Sequence, residues 1–131
     1  ILTKKQNGGI NFLITDAGMQ TFLRPAMYHA SHKILPFNHI GKETNYTIAG
    51  PICESSDIII KDIKLPSQTK DNFLIICDVG AYGSVMSSNY NSKCLPIEIL
   101  VNKNEYAIIR NPENIEEIIK RDKFPKWKKI S

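Results

Sequence analysis

Apolar residues along this chain come in short β-branched runs, broken every ten residues or so by glycine, proline or asparagine, and that rhythm predicts strands. The run Ile10-Asn-Phe-Leu-Ile-Thr15 follows Gly8-Gly9 and reads as a strand entered from a turn, with residues 1–5 as an earlier partner. Residues 31–38 and 45–49 read as two more strands separated by a turn at Gly41. Residues 58–60 continue in the same style, 64–67 read as a turn, and 73–77 form a continuous apolar strand. Residues 96–101 and 105–110 flank Asn102-Lys103-Asn104, which predicts a hairpin with three to four loop residues.

Helical signals are few. Pro25 interrupts residues 21–28, so one helical turn is expected near Arg24. The last element has Asn111 as N-cap, Pro112 at the first helical position, acidic residues early and Lys120-Arg121 at its end, with Ile115, Ile118 and Ile119 as its inner face. Many short strands with one terminal helix predict a mainly β fold: a Greek-key-like β-barrel or sandwich with a short helical turn near Arg24 and one C-terminal helix.

Length and charge narrow the classes. At 131 residues the chain suits one domain, read as a body over 1–121 and a basic tail over 122–131. The net charge of +4 resides wholly in residues 121–131, where five basic residues face one acidic residue. The rest of the chain is neutral and has no surplus for a basic stripe, so no nucleic-acid partner is expected, and no apolar run suggests a membrane partner. Cys53, Cys77 and Cys94 show neither a disulfide framework nor zinc-ligand spacing, which fits a reducing, cytoplasmic setting. The chain opens on Ile1 rather than Met and is read as a cut from a longer polypeptide.

Three segments carry candidate chemistry. Cys53-Glu54 follow Gly50-Pro51, a pair that leaves regular pairing and aims the next residues outward. Alone, such a cysteine is more often a small buried hydrophobe and such a glutamate a solvated loop charge. Arg24-Pro-Ala-Met-Tyr28 sets a guanidinium, able to grip a carboxylate with two parallel hydrogen bonds, beside a phenol. Asp78-Val-Gly-Ala-Tyr82-Gly83 leaves a strand through glycines that allow close approach of a ligand. His29 and His32 stand three apart, but the helical turn is expected to end between them, so no metal site is expected; Cys77 is expected in the core.

Taken together, these segments resemble the C-terminal domain of diaminopimelate decarboxylases. Asp16-Ala-Gly-Met19 with Arg24-Pro-Ala-Met-Tyr28, then Gly50-Pro-Ile-Cys-Glu-Ser55, then Asp78-Val-Gly-Ala-Tyr-Gly83 with Ser88-Asn-Tyr-Asn91, match that family's motifs in order over residues 10–119. Cys94 departs from it, standing where the family more often has a basic residue or proline.

The resemblance implies the C-terminal β-domain of a pyridoxal 5'-phosphate enzyme that converts meso-2,6-diaminopimelate to L-lysine and CO2, the final step of lysine biosynthesis. It implies an N-terminal α/β barrel that carries the cofactor-binding lysine, so that the chain alone would be inactive. A homodimer with active sites shared between subunits is also implied. Cys53 would be the proton donor. Arg24, Tyr28, Glu54 and Tyr82 would bind substrate, with Tyr82 also against the cofactor. Two alternatives remain: an ornithine- or arginine-type decarboxylase, whose loop usually reads Cys-Asp, and a non-catalytic β-barrel binding module, whose strands would interleave basic and aromatic residues.

Overall fold

The computed structural model describes residues 1–130. It is mainly β, as expected. Strands β1 (Thr3–Asn7) and β2 (Ile10–Ile14) form a hairpin across Gly8 and Gly9, both at positive φ (54° and 79°), the two-residue turn that glycine makes cheap. The chain then crosses over through α1 (Arg24–Tyr28) and β3 (Ile34–Pro36) to β4 (Glu43–Ala49), which pairs parallel with β2 in the register Leu13↔Ile48. Strand β5 (Ile58–Pro66) returns antiparallel to β4 and completes a four-stranded sheet in the order β1-β2-β4-β5.

β5 is longer than the sequence reading expected, which ended the strand at Ile60 and put a turn at 64–67. Asp62 bulges out of the ladder at φ 55°, where Asn45 Nδ2 donates to its carboxylate at 2.8 Å. This polar bulge breaks the apolar pattern without ending the strand. A further register shift lies between Ile48 and Ala49, directly before the loop that carries Cys53.

β3 pairs antiparallel with β6 (Leu74–Ile76), and the backbone bonds Phe37 N–H to Phe73 O and Cys77 N–H to Lys33 O extend that ladder at both ends. Leu13, Ile34, Tyr46, Ile48, Ile59 and Leu65 form the buried core, with Leu74 and Ile76 packed against it. Cys77 sits only half-buried at the ladder's end. Tyr46 is a polar anchor within this core: its hydroxyl accepts from the Gln68 backbone N–H at 3.1 Å and from Lys4 Nζ at 3.3 Å. Burial pushes this phenol up, but the Gln68 N–H, the Lys4 ammonium with its charge and the Ser67 side chain together outweigh it and hold the group below its ordinary value.

The elements described so far belong to one compact unit, Ile1–Ser88, and a second begins at Asn89. In the second, β7 (Glu98–Asn102) and β8 (Glu105–Arg110) pair antiparallel, with Arg110 Nη1 and Glu98 Oε1 2.5 Å apart. Their turn holds two residues, Lys103 and Asn104, rather than the expected three to four, because Lys103 takes a positive φ of 53° and tightens the reversal. Helix α2 (Ile115–Ile119) starts later than expected. Its N-cap is Asn114, not Asn111: Asn114 Oδ1 accepts from the Glu117 N–H at 3.0 Å, and Glu117 Oε2 accepts from the Asn114 N–H at 2.9 Å. Ile118 is half-buried, while the expected inner-face residues Ile115 and Ile119 are exposed.

The ladders make one four-stranded sheet and two two-stranded ones; among the described residues they do not close into the expected barrel. No helix among those residues is long and apolar enough to cross a membrane.

Candidate functional site

Strand β4 ends at Ala49, and the chain makes a tight excursion before β5 begins at Ile58. The Gly50 N–H donates to Asp57 O at 2.9 Å and closes the excursion at its neck. Within it the Asp57 N–H donates to Glu54 O at 3.1 Å, making a turn with Cys53 and Glu54 on its outer limb. Ile52 is buried and anchors the loop, and the Cys53 thiol is exposed. The bland reading of Cys53 as a core hydrophobe therefore fails. Glu54 is half-buried, with its carboxylate folded back toward Ser55 Oγ at 3.4 Å and the Ser56 N–H at 3.5 Å.

The buried carboxylate of this loop is Asp57, only 3% exposed. Its Oδ2 accepts from the Ile52 N–H at 2.9 Å, inside the loop. Its Oδ1 accepts from the Met19 N–H at 2.7 Å, in the turn that precedes α1. Room for the carboxylate comes from two glycines: a Cβ on Gly50 would lie 2.2 Å from Oδ2, and one on Gly18 would lie 2.8 Å from Oδ1. Sequence reasoning assigned no role to Asp57, because its partners are backbone N–H groups.

The Gly18 turn leads to α1, where the Gly18 carbonyl accepts from the Thr21 and Phe22 N–H groups. Pro25 sits in the first turn of α1 with φ already suited to a helix, and His29 ends it in the left-handed region at φ 53°. His32 has Nδ1 3.1 Å from Cys77 O and meets Phe22 edge-on.

Arg24, Tyr28 and Tyr82 come together. The guanidinium carbon of Arg24 lies 5.8 Å from the Tyr28 ring centroid and 5.3 Å from that of Tyr82, so two aromatic faces flank one cation. Arg24 is half-buried and has no carboxylate partner among the described residues, while both tyrosines are more than half exposed. Tyr82 is carried by a turn closed by the Gly83 N–H to Val79 O bond at 2.9 Å; a Cβ on Gly83 would lie 2.4 Å from that oxygen, whereas Gly80 faces open space. The Glu54 carboxylate is turned onto its own loop. The two halves of the site meet in two ways: the Asp57–Met19 bond, and a groove of about 380 Å³ that Ser55 and Ser56 share with Pro25, Ala26 and His29 of the α1 region.

An unpaired, aromatic-flanked guanidinium is suited to an anionic ligand, and an exposed thiol beside a carboxylate is suited to proton transfer and ammonium recognition. Residues 1–80 match the family of pyridoxal-dependent decarboxylases, in its C-terminal sheet domain. The diaminopimelate decarboxylase of Archaeoglobus fulgidus is 38% identical over 93% of this chain and 30% of its own length. Among solved structures, diaminopimelate decarboxylase from M. jannaschii in co-complex with L-lysine superposes with a TM-score of 0.92 at 35% identity, covering 95% of this chain and 29% of that one. The Helicobacter pylori enzyme complexed with L-lysine gives a TM-score of 0.85 at 38% identity over 92% and 29% of the two chains. The chain thus spans about three-tenths of the length of these relatives.

Proposed function

The chain belongs to the pyridoxal-dependent decarboxylases, in their C-terminal sheet domain, and from that premise we propose that the full-length protein decarboxylates meso-diaminopimelate to L-lysine and CO2. The observation that carries this reading is Arg24, half-buried between Tyr28 and Tyr82 and lacking a carboxylate partner among the described residues. Diaminopimelate has an amino-acid group at each end, and only the end away from the reaction needs recognition by protein side chains alone. Arg24 and Tyr28 grip the remote carboxylate, and Glu54 pairs the remote ammonium. A substrate without that carboxylate, such as ornithine, leaves Arg24 unsatisfied, which disfavours the ornithine- and arginine-type alternative. The L-lysine in two of the similar structures supports the same choice, because lysine keeps that remote end.

The side chains suit pyridoxal phosphate. Tyr82 offers a half-exposed phenol beside Arg24 and next to the open face at Gly80, and would hold the phosphate side of the cofactor. Bound, the cofactor supplies an electron sink for the charge left when CO2 departs. Cys53 then gives its thiol proton to the carbon that lost CO2, and the thiolate regains a proton from solvent. A thiol suits this task because its ordinary pKa of about 8.5 lies close to neutrality.

The same reading makes the protein a cytoplasmic homodimer in which the Cys53 loop reaches the partner's site. The test is CO2 release by the full-length protein with pyridoxal phosphate, with meso-diaminopimelate, ornithine and arginine supplied separately and lysine identified as the product from diaminopimelate. Turnover confined to diaminopimelate supports the reading, and Cys53→Ala is then expected to lower kcat by about 10²–10⁴-fold. Faster turnover of ornithine or arginine, or no lysine at all, refutes it.

A further inference from the structure

We infer that Asp57 is the positioning residue of this site, resting on the reading of Cys53 as proton donor. Its carboxylate binds two backbone N–H groups from different parts of the chain: Ile52, next to Cys53, at 2.9 Å, and Met19, in the turn before Arg24, at 2.7 Å. Its own backbone is fixed as well, because Asp57 O accepts from the Gly50 N–H and the Asp57 N–H donates to Glu54 O. The loop tip is therefore set from the stem by one side chain. That side chain also fixes where the thiol limb stands relative to the turn that leads into α1 and Arg24.

The surroundings are built for this carboxylate. It is 3% exposed and lies against Gly18 and Gly50, where a Cβ would come within 2.8 Å and 2.2 Å of it, and a Gly18 Cβ would also fall 2.7 Å from Gly50 Cα. The two segments approach so closely that only glycine at both positions leaves space for the group between them. Asp57 touches no substrate in this arrangement and acts through the loop it holds.

An isosteric Asn retains one acceptor and turns an NH2 group toward one of the two N–H donors, so one arm of the clasp opens while the volume is kept. Misplacing a reacting group by about 1 Å costs up to about 10²-fold in rate. Asp57→Asn in the full-length, cofactor-loaded enzyme is therefore expected to lower kcat for meso-diaminopimelate by about 10- to 100-fold, with folding and cofactor absorbance as in the parent. The deciding comparison repeats the substitution in a Cys53→Ala background. With the thiol gone only the Glu54 contact to substrate is left to aim, which is read in KM, and the further loss in kcat is expected to shrink to about threefold or less.

An equal loss in both backgrounds overturns the inference, since it means Asp57 acts independently of Cys53. So does failure of Asp57→Asn to fold and take up cofactor, which assigns the residue to stability alone. A Cys53→Ala enzyme with unchanged kcat takes the inference down for a separate and visible reason: the underlying role of the thiol is then wrong.

Discussion

Arg24 and Tyr82, far apart in sequence, meet with the guanidinium carbon 5.3 Å from the phenol ring centroid, and Tyr28 lies on the same cation at 5.8 Å. Flanking rings fix a guanidinium while leaving its planar fork of donors for an anion, which a lysine in that position could not reproduce. Arg24→Ala is expected to reduce kcat/KM for meso-diaminopimelate by the equivalent of about 2–5 kcal/mol and to leave the low rate with ornithine nearly unchanged. Arg24→Lys should recover only part of the loss. Steady-state kinetics of the full-length variants with both substrates check this, and an unchanged ratio would remove Arg24 from specificity.

Tyr46 makes a prediction in the alkaline range. Its phenol is held below its ordinary value, so the folded state favours the ionised form earlier than the unfolded chain does. The resulting stability is fully present above the unfolded value of about 10 and fades as pH falls through the folded value. The gap in Tm between the parent and Tyr46→Phe should therefore widen as pH rises toward about 10. At lower pH a constant loss of about 1–3 kcal/mol should remain, from the buried Gln68 N–H left without its acceptor. A gap that stays flat across the alkaline range would contradict the assignment.

Gly83→Ala tests the Tyr82 turn. The new methyl would lie 2.4 Å from the Val79 carbonyl oxygen, and a backbone atom cannot swing aside as a side-chain end can. A destabilisation of about 1–3 kcal/mol is expected, together with a raised KM as Tyr82 shifts off Arg24. Gly80→Ala, which meets nothing within 4 Å, should be the milder change in the same assays.

For α2, Asn114→Ala removes the side-chain acceptor of the Glu117 N–H, one half of the reciprocal cap, and is expected to cost the helix about 1 kcal/mol, read as faster amide exchange at Glu117 and Ile118. Asn111→Ala should leave those amides unchanged, because Asn111 is outside the cap.

The contrast between Asn111 and Asn114 shows how far the sequence could be read. Asn111-Pro112 has the composition of a helix start, but Asn114 with Glu117 three residues on closes the reciprocal cap, and that pattern was equally visible. Elements whose pattern is apolar, such as β2 and β6, stand where the runs of Ile, Leu and Phe put them, whereas the more polar β4 begins at Glu43, before the expected start at residue 45. The rest of β5 was hidden because Lys61 and Asp62 face out at a bulge and mimic a strand end. The trio of Arg24, Tyr28 and Tyr82 was named from motifs, but its stacking depends on where the Val79–Gly83 turn folds back. Asp57 was illegible for another reason: its partners are backbone N–H groups, which every residue but proline has, so nothing in the side chains of Ile52 or Met19 points to it.

That clasp also makes the thiol loop poorly portable. Six residues, 51–56, are held between Gly50 and Asp57, and one of the two bonds that anchor the Asp57 carboxylate comes from a turn contributed by an earlier part of the chain. Grafted onto another β-hairpin without Gly18 and Met19, the same residues would lose one anchor and bury a carboxylate with an open valence. Lengthening the loop by a single residue would shift the thiol by up to about 3.3 Å along the chain, beyond what a proton transfer tolerates. The unit of transfer, for an engineer or for recombination between homologues, is therefore two segments and not one.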